Sequence, residues 1–287
     1  MSEQPPAWVA RAQTAAAQNK KVLVVEGTTD EAVYREWIAK KLGATWANLV
    51  HLETAQDRPR MLSGLRWLQE NDDPLKDVVF GLADRDEWEQ ADVAALQNNS
   101  PTLLVNQSRH SLQSYFCVPE EIESILSHRD AESGASLFGP HLQALRQQLE
   151  TARTDYVPHW ALSCTIQRAN EKVRRDALYP IFFRNTCPLP SDEDVRVKLQ
   201  EWADILAPNA LFNAFDHLRT ESLARPLAEQ FQSCVEPKLF FGRIVVAGPH
   251  GLNSIQRKSS DDWLIELARW SPAMPADLEV ILAPLLL

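Results

Sequence analysis

Four acidic residues stand where a parallel sheet would place chemistry. Glu26 closes the apolar run KKVLVVEG, and Asp84 and Asp86 close the run DVVFGLADRD. Asp30 falls in the first turn of the helix expected after Glu26. Buried parallel strands open their crevice at the carboxyl ends. In extended backbone residues i and i+2 share a face, so the pattern predicts that Asp84 and Asp86 point together and Arg85 points away. Carboxylates gathered at one sheet edge repel, and a cation relieves that repulsion. Oxygen donors without paired His or Cys suit a hard divalent ion, Mg²⁺ or Mn²⁺, rather than zinc. One or two such ions stabilise the attacking and leaving oxygens of a phosphodiester.

The elements that must position these residues are legible as alternating strands and helices. Pro6–Asn19 is alanine-rich and reads as a helix. The run ending at Glu26 reads as a buried strand, and Asp30–Leu42 carries Val33, Trp37, Ile38 and Leu42 at helical spacing. Thr28 and Glu31 have the spacing of a capping box. Trp46–Leu52 is a second strand candidate, Arg58–Glu70 a helix, Asp77–Ala83 a third strand and Thr102–Val105 a fourth. This alternation predicts an α/β fold built on a Rossmann-like parallel sheet. Beyond Cys117 the pattern becomes mostly helical. Pro119 opens one helix. Gln143–Arg153, Ala161–Arg175, Asp192–Leu206, Leu211–Phe231 and Ser260–Trp270 follow, with Ser191 and Ser259 as caps. Only Lys238–Ala247 (KLFFGRIVVA) reads as a strand there. The expected organisation is an N-terminal helix over 1–19, an α/β domain over 20–125 and a mostly helical region over 126–287.

Composition narrows the function classes. The chain has 287 residues, 39 Asp and Glu against 29 Lys and Arg, and a formal charge of −10. An acidic chain coats nucleic acid poorly, because the phosphate backbone is bound through Lys and Arg; a local basic patch or bound cations can still engage it. The densest basic group is Arg168, Lys172, Arg174 and Arg175, which either tracks a nucleic-acid backbone or is a solvated helix face. Trp88 is the aromatic residue placed to stack a base. Four cysteines without a CxxC suit a reducing cytoplasm rather than a disulfide framework or zinc site. No apolar run spans a bilayer and no secretory leader is expected, so the location expected is cytoplasmic without a membrane. There is no GxxxxGK[ST], GxSxG or HExxH.

VLVVEGTTD, followed 58 positions after Glu26 by Asp84 in FGLADRD, resembles the TOPRIM domain shared by topoisomerases, bacterial primases and the OLD-family nucleases. The segment SRHSLQSYFCVPEEI is similar to the stretch after the fourth strand in TOPRIM proteins close to the OLD nucleases. The resemblance covers residues 20–125. It implies that Glu26, Asp84 and Asp86, with Asp30, bind Mg²⁺ or Mn²⁺, and that the first three are catalytic in an endonuclease cutting RNA, tRNA included, or DNA. Arg109 and His110 follow the fourth strand near the same crevice, where Arg109 could hold a phosphate and His110 donate a proton; a structural role is the alternative for each. Related chains serve as toxic effectors of two-component anti-phage systems, which implies an ABC-type ATPase partner that restrains the nuclease and a homodimer when active. One position departs from the pattern: Gln113 stands where the family often has Glu, and an amide coordinates only through its carbonyl oxygen. Glu120 and Glu121 can compensate or simply favour a helix N-terminus. The alternative is a TOPRIM-fold binding or regulatory subunit without catalysis.

Overall fold

The computed structural model describes residues 5–71, 74–85, 88, 90–106, 108–175 and 192–286. Its centre is a four-stranded, all-parallel sheet in the order β2-β1-β3-β4, made of β1 (Lys21–Val25), β2 (Val50–Thr54), β3 (Val79–Ala83) and β4 (Leu103–Val105). β1 pairs with β2 on one side and β3 on the other. Val22, Leu23, Val24 and Val25 are all fully buried, which explains the continuous apolar run: a parallel strand covered on both faces has no solvent side to mark with polar residues.

Val22 and Val24 face a core that includes Trp8, Val9 and Ala12 of α1 (Ala7–Ala16), Met61, Leu65 and Leu68 of α4 (Arg58–Glu70), and Val93 of α5 (Gln90–Asn99). On another side α2 (Thr28–Leu42) packs against α12 (Ser260–Trp270), which also meets α6 (Pro119–Ser133). α2 starts one residue earlier than a Thr28–Glu31 box requires. Gly27 is its N-cap, and the Gly27 N–H donates to Asp30 Oδ2 at 2.9 Å. Ser259 caps α12 as expected, its hydroxyl accepting from the Asp262 N–H at 3.1 Å. Ser191 lies outside the described residues.

Four sequence expectations are corrected. Trp46–Leu52 is not one strand: Trp46–Leu49 forms a short helix, α3, and β2 starts at Val50. The two helices expected on either side of Pro158 are one, α7 (Leu142–Arg175). Pro removes a helical hydrogen bond, but Val157, Trp160 and Ala161 beside it are buried and hold both flanks. The helix expected over Leu211–Phe231 is instead two, α9 (Pro208–Ala224) and α10 (Leu227–Ser233), after α8 (Asp192–Ile205). Arg225, ahead of Pro226, is extended, as the residue before proline prefers. Lys238–Ala247 is helical: α11 (Pro237–Phe240) runs into a π-helix over Phe241–Val246. The Ala247 N–H donates to the Gly242 carbonyl at 3.1 Å. In such a turn residues five apart share a side, which buries Phe240 with Val245 and Phe241 with Val246. A short apolar run carries no periodicity that separates this from a strand.

Chain contacts form two compact units, Met1–Ala152 with Pro237–Leu287, and Arg153–Glu236. This differs from the composition-based divisions at 19/20 and 125/126, because α1 is part of the sheet core and the last fifty residues return to it. The return is tied by Lys21 Nζ on the Pro284 carbonyl at 2.8 Å, and by Arg269 on Glu36 at 3.0 Å. The second unit has a small core of Val157, Trp160, Ala161, Cys164 and Cys234, with Phe215 and Leu218 packed on it. Among the described residues no helix is long and apolar enough to cross a membrane.

α1 rests on α4 through a close approach at Gly64. A Cβ there would stand 2.1 Å from the Trp8 ring, which is buried and donates its indole N–H to the Arg60 carbonyl at 3.2 Å. Alanine in a helix gains up to ~1 kcal/mol over glycine, whereas overpacking costs roughly 1–3 kcal/mol. Gly64→Ala is therefore expected to destabilise the protein by about 1–2 kcal/mol in urea unfolding, and Trp8→Leu in the same chain to recover part of the loss.

Candidate carboxylate site

β1 and β3 are neighbours in register, Val24 opposite Gly81, so the residues that leave their carboxyl ends, Glu26 and Asp84, emerge side by side. Glu26 Oε1 accepts from the Asp84 N–H at 3.4 Å. Asp84 Oδ1 accepts from the Leu112 N–H at 3.1 Å, which ties it to the turn Leu112–Phe116 after β4. Asp30, at the start of α2, faces the same group. Its carboxyl is raised to about 6, because burial disfavours the charged form and Glu26 adds repulsion; the Gly27 N–H and Lys238 oppose this in part. Asp86 lies outside the described residues.

Two cations answer these carboxylates, and neither was expected from the sequence. Arg58, the first residue of α4, places Nε 2.8 Å from Glu26 Oε1 and its guanidinium 4.5 Å from the centre of the Trp88 ring. Lys238, in α11, places Nζ 3.9 Å from Asp84 Oδ2. A signal for Arg58 existed, since a basic residue opening the helix after β2 sits at the functional edge of a parallel sheet. Lys238 carried none: it is more than 150 positions beyond Asp84, in a run that reads as a strand.

Trp88 keeps a place at the site, but one face of its ring is already covered by Arg58. Gln113 Oε1 accepts from the Ser111 hydroxyl at 2.8 Å. Glu120 pairs with Arg146 at 2.5 Å and Glu121 with Arg109 at 2.6 Å, so both acids of the α6 N-terminus carry cations of their own.

Arg109 is a clasp rather than an open phosphate ligand. It is 7% exposed, grips Glu121 through both terminal nitrogens at 2.6 and 2.8 Å, and reaches Asp277 at 3.2 Å. Its guanidinium also lies 4.3 Å from the Tyr115 ring centre. Asp277, from α13 (Ala276–Ile281), is half-buried; burial alone would raise its pKa, but Arg109, Asn106 and Ser108 hold it below the usual carboxylate range. His110 is buried beside Arg109. A cavity lined by Asp84, Arg85, Tyr34, Arg109, Ser111 and Tyr115 among others joins this network to Asp84. Arg168 and Lys172 lie on α7 in the second unit; the side chains of Arg174 and Arg175 lie outside those described.

Among the described residues no three His, Cys, Asp or Glu side chains are placed to hold a metal ion. The donor chemistry nevertheless suits a hard cation: all the donors are oxygens, and Glu26 and Asp84 leave adjacent strands side by side. No protein-family model matches the chain, and neither does any curated protein.

The Asp30 carboxyl gives a pH dependence of defined sign. Its folded value, about 6, lies above its ordinary 3.8. At pH below about 4 both folded and unfolded states hold the proton and nothing is lost. Between about 4 and 6 the unfolded chain releases it first, so stability falls as pH rises, by an amount on the order of 2–3 kcal/mol at most. Asp30→Asn, whose amide oxygen can still accept from Gly27, is expected to remove that fall and to be the more stable protein above pH 6 in paired melting curves. Arg109→Ala strands Glu121 and Asp277. Breaking a buried ion pair costs ~3–5 kcal/mol, and since both carboxylates are about a third exposed, a loss of roughly 2–3 kcal/mol is expected from urea unfolding.

Proposed function

We propose that the chain is a divalent-cation-dependent nuclease of the TOPRIM type, hydrolysing phosphodiester bonds in RNA, tRNA included, or in DNA. The observation that carries this reading is the convergence of Glu26 and Asp84 at the carboxyl ends of two adjacent parallel strands. Mg²⁺ or Mn²⁺ would be held by Glu26 and Asp84, with Asp30 and Asp86 as further donors, and would supply charge stabilisation to the attacking and leaving oxygens. The chain's own residues supply the rest. Glu26 is a base within reach of the same edge. Lys238 offers a half-exposed positive charge to a phosphate oxygen beside Asp84. The main-chain bond from Leu112 fixes the Asp84 carboxylate before any substrate arrives.

In this reading an ABC-type ATPase restrains the nuclease in the cytoplasm until infection. What supports a docking role is the second unit, where Leu162, Ile166, Val197, Leu199 and Phe212 are about half or more exposed among the described residues. Exposed apolar side chains in that density suit a protein partner.

A second reading, a binding or regulatory subunit without catalysis, is favoured by the ion pairs themselves. Arg58 and Lys238 already neutralise Glu26 and Asp84, and Gln113 contributes no charge. Glu26→Gln separates the two. The Gln amide oxygen can still accept from Arg58 Nε, so the variant is expected to stay folded. The nuclease reading expects the Mg²⁺- or Mn²⁺-induced rise in melting temperature to shrink, and cleavage and toxicity on expression to vanish. A folded Glu26→Gln protein with full activity would remove Glu26 from the mechanism. A wild-type chain that binds RNA or DNA yet cuts neither with Mg²⁺ or Mn²⁺ would establish the second reading.

A further inference from the structure

Arg58 is built into the carboxylate site with more support than a surface ion pair has. Its Nε lies 2.8 Å from Glu26 Oε1, and the two side chains are only 18% and 23% exposed. The guanidinium carbon lies over the Trp88 ring, 4.5 Å from its centre. Trp88 is itself locked: its N–H donates to the Arg85 carbonyl at 3.1 Å, and Arg85 Nε donates back to the Trp88 carbonyl at 3.1 Å. Arg85 adjoins Asp84, whose N–H points at Glu26 Oε1. The contacts therefore close a ring, Glu26 to Arg58 to Trp88 to Arg85 and Asp84, and back to Glu26.

This ring competes with a metal ion. Glu26 Oε1 accepts from Arg58 Nε at 2.8 Å and from the Asp84 N–H at 3.4 Å, so this oxygen is engaged by the ring. A divalent ion at the carboxylate would stand a few ångströms from the guanidinium, and even at an effective dielectric of ~20 the repulsion between them is large. Trp88 gives Arg58 a second hold that does not involve Glu26, so the arginine can release the carboxylate without leaving the site.

We propose that Arg58 is the built-in counter-ion of this site: it occupies Glu26 until a divalent cation displaces it, and thereby sets the cation concentration at which the site loads. The inference rests on the metal-dependent reading above. It makes Arg58 a positioning residue, acting through Glu26, with Trp88 as its seat.

The test is a Mn²⁺ titration of the full chain in which free Mn²⁺ is counted by electron paramagnetic resonance, a readout independent of cleavage. Arg58→Met keeps most of the stem and removes the charge; its half-saturating Mn²⁺ concentration is expected to fall about tenfold, equal to about 1.4 kcal/mol. Arg58→Lys keeps the charge and is expected to stay near the wild-type value. Trp88→Leu unseats the guanidinium and is expected to lower the midpoint by a smaller factor, which carries the test if Arg58→Met does not fold. Unchanged or higher midpoints in Arg58→Met, or in Trp88→Leu where that variant must stand in, overturn the counter-ion role. Wild-type binding that Glu26→Gln abolishes while Arg58→Met leaves it unaltered overturns this inference alone. Absence of any Glu26-dependent Mn²⁺ binding in wild type and in Arg58→Met overturns the metal reading with it.

Discussion

Charge balance at the carboxyl end of β1 and β3 is the constraint around which the first compact unit is arranged. β1 is covered on both faces and flanked on both sides, so the chain leaving it can only emerge at the crevice, and the parallel register sets Glu26 beside Asp84. Asp30 comes with them because the helix that follows β1 starts at once. Three acids in that space repel. The fold answers with Arg58 from the helix after β2 and Lys238 from a segment that reaches the site only after the second unit has been completed. The return of that segment depends in turn on a second balance of charge, the Arg109 clasp, which joins the β4 exit, α6 and α13 through Glu121 and Asp277.

These two clusters use arginine differently. Arg109 is saturated: five contacts, to two carboxylates, a carbonyl and an aromatic face, fix a planar group that has little freedom to reach a phosphate. Its closeness to the crevice in sequence made it a phosphate candidate, and its burial assigns it to the architecture. Arg58 pairs with Glu26 and lies over the Trp88 ring.

The parts of the molecule that were legible in the sequence are those where local pattern and burial agree. KVLVV, VFGLA and the spacing of Met61, Leu65 and Leu68 report strands and a helix because the whole strand, or one helix face, is covered. Glu26 and Asp84 were legible because the end of a buried strand is a position defined by the strand itself. The remainder is set by tertiary contact. Nothing local distinguishes the π-turn at Phe241–Val246 from a strand, since its apolar pairs recur every five residues and meet partners such as Phe116 far away in sequence. Pro158 read as a boundary because the energy that carries a helix through it comes from Val157 and Ala161 packing into a core shared with Cys234. Lys238 could be placed beside Asp84 only once that misread segment was known to be helical.

Asp30 bears on whether the cluster is structural or functional. An acid whose sole role was to cap α2 would gain from being ionised, because the helix N-terminus favours negative charge. Here burial and Glu26 raise it instead to about 6, so the cap is held at a cost to stability near neutral pH. A fold with no use for the charge would be more stable with asparagine at 30, whose amide oxygen can still accept from the Gly27 N–H. A carboxyl whose surroundings disfavour its charge, next to Glu26 and Asp84, is a candidate for function rather than for capping alone. In the metal-dependent reading proposed above, a divalent ion removes this cost, since it favours the ionised forms of Glu26, Asp30 and Asp84 together. The raised Asp30 carboxyl and the Arg58–Glu26 ion pair are thus two consequences of one arrangement, carboxylates gathered and partly buried at the carboxyl edge of the sheet.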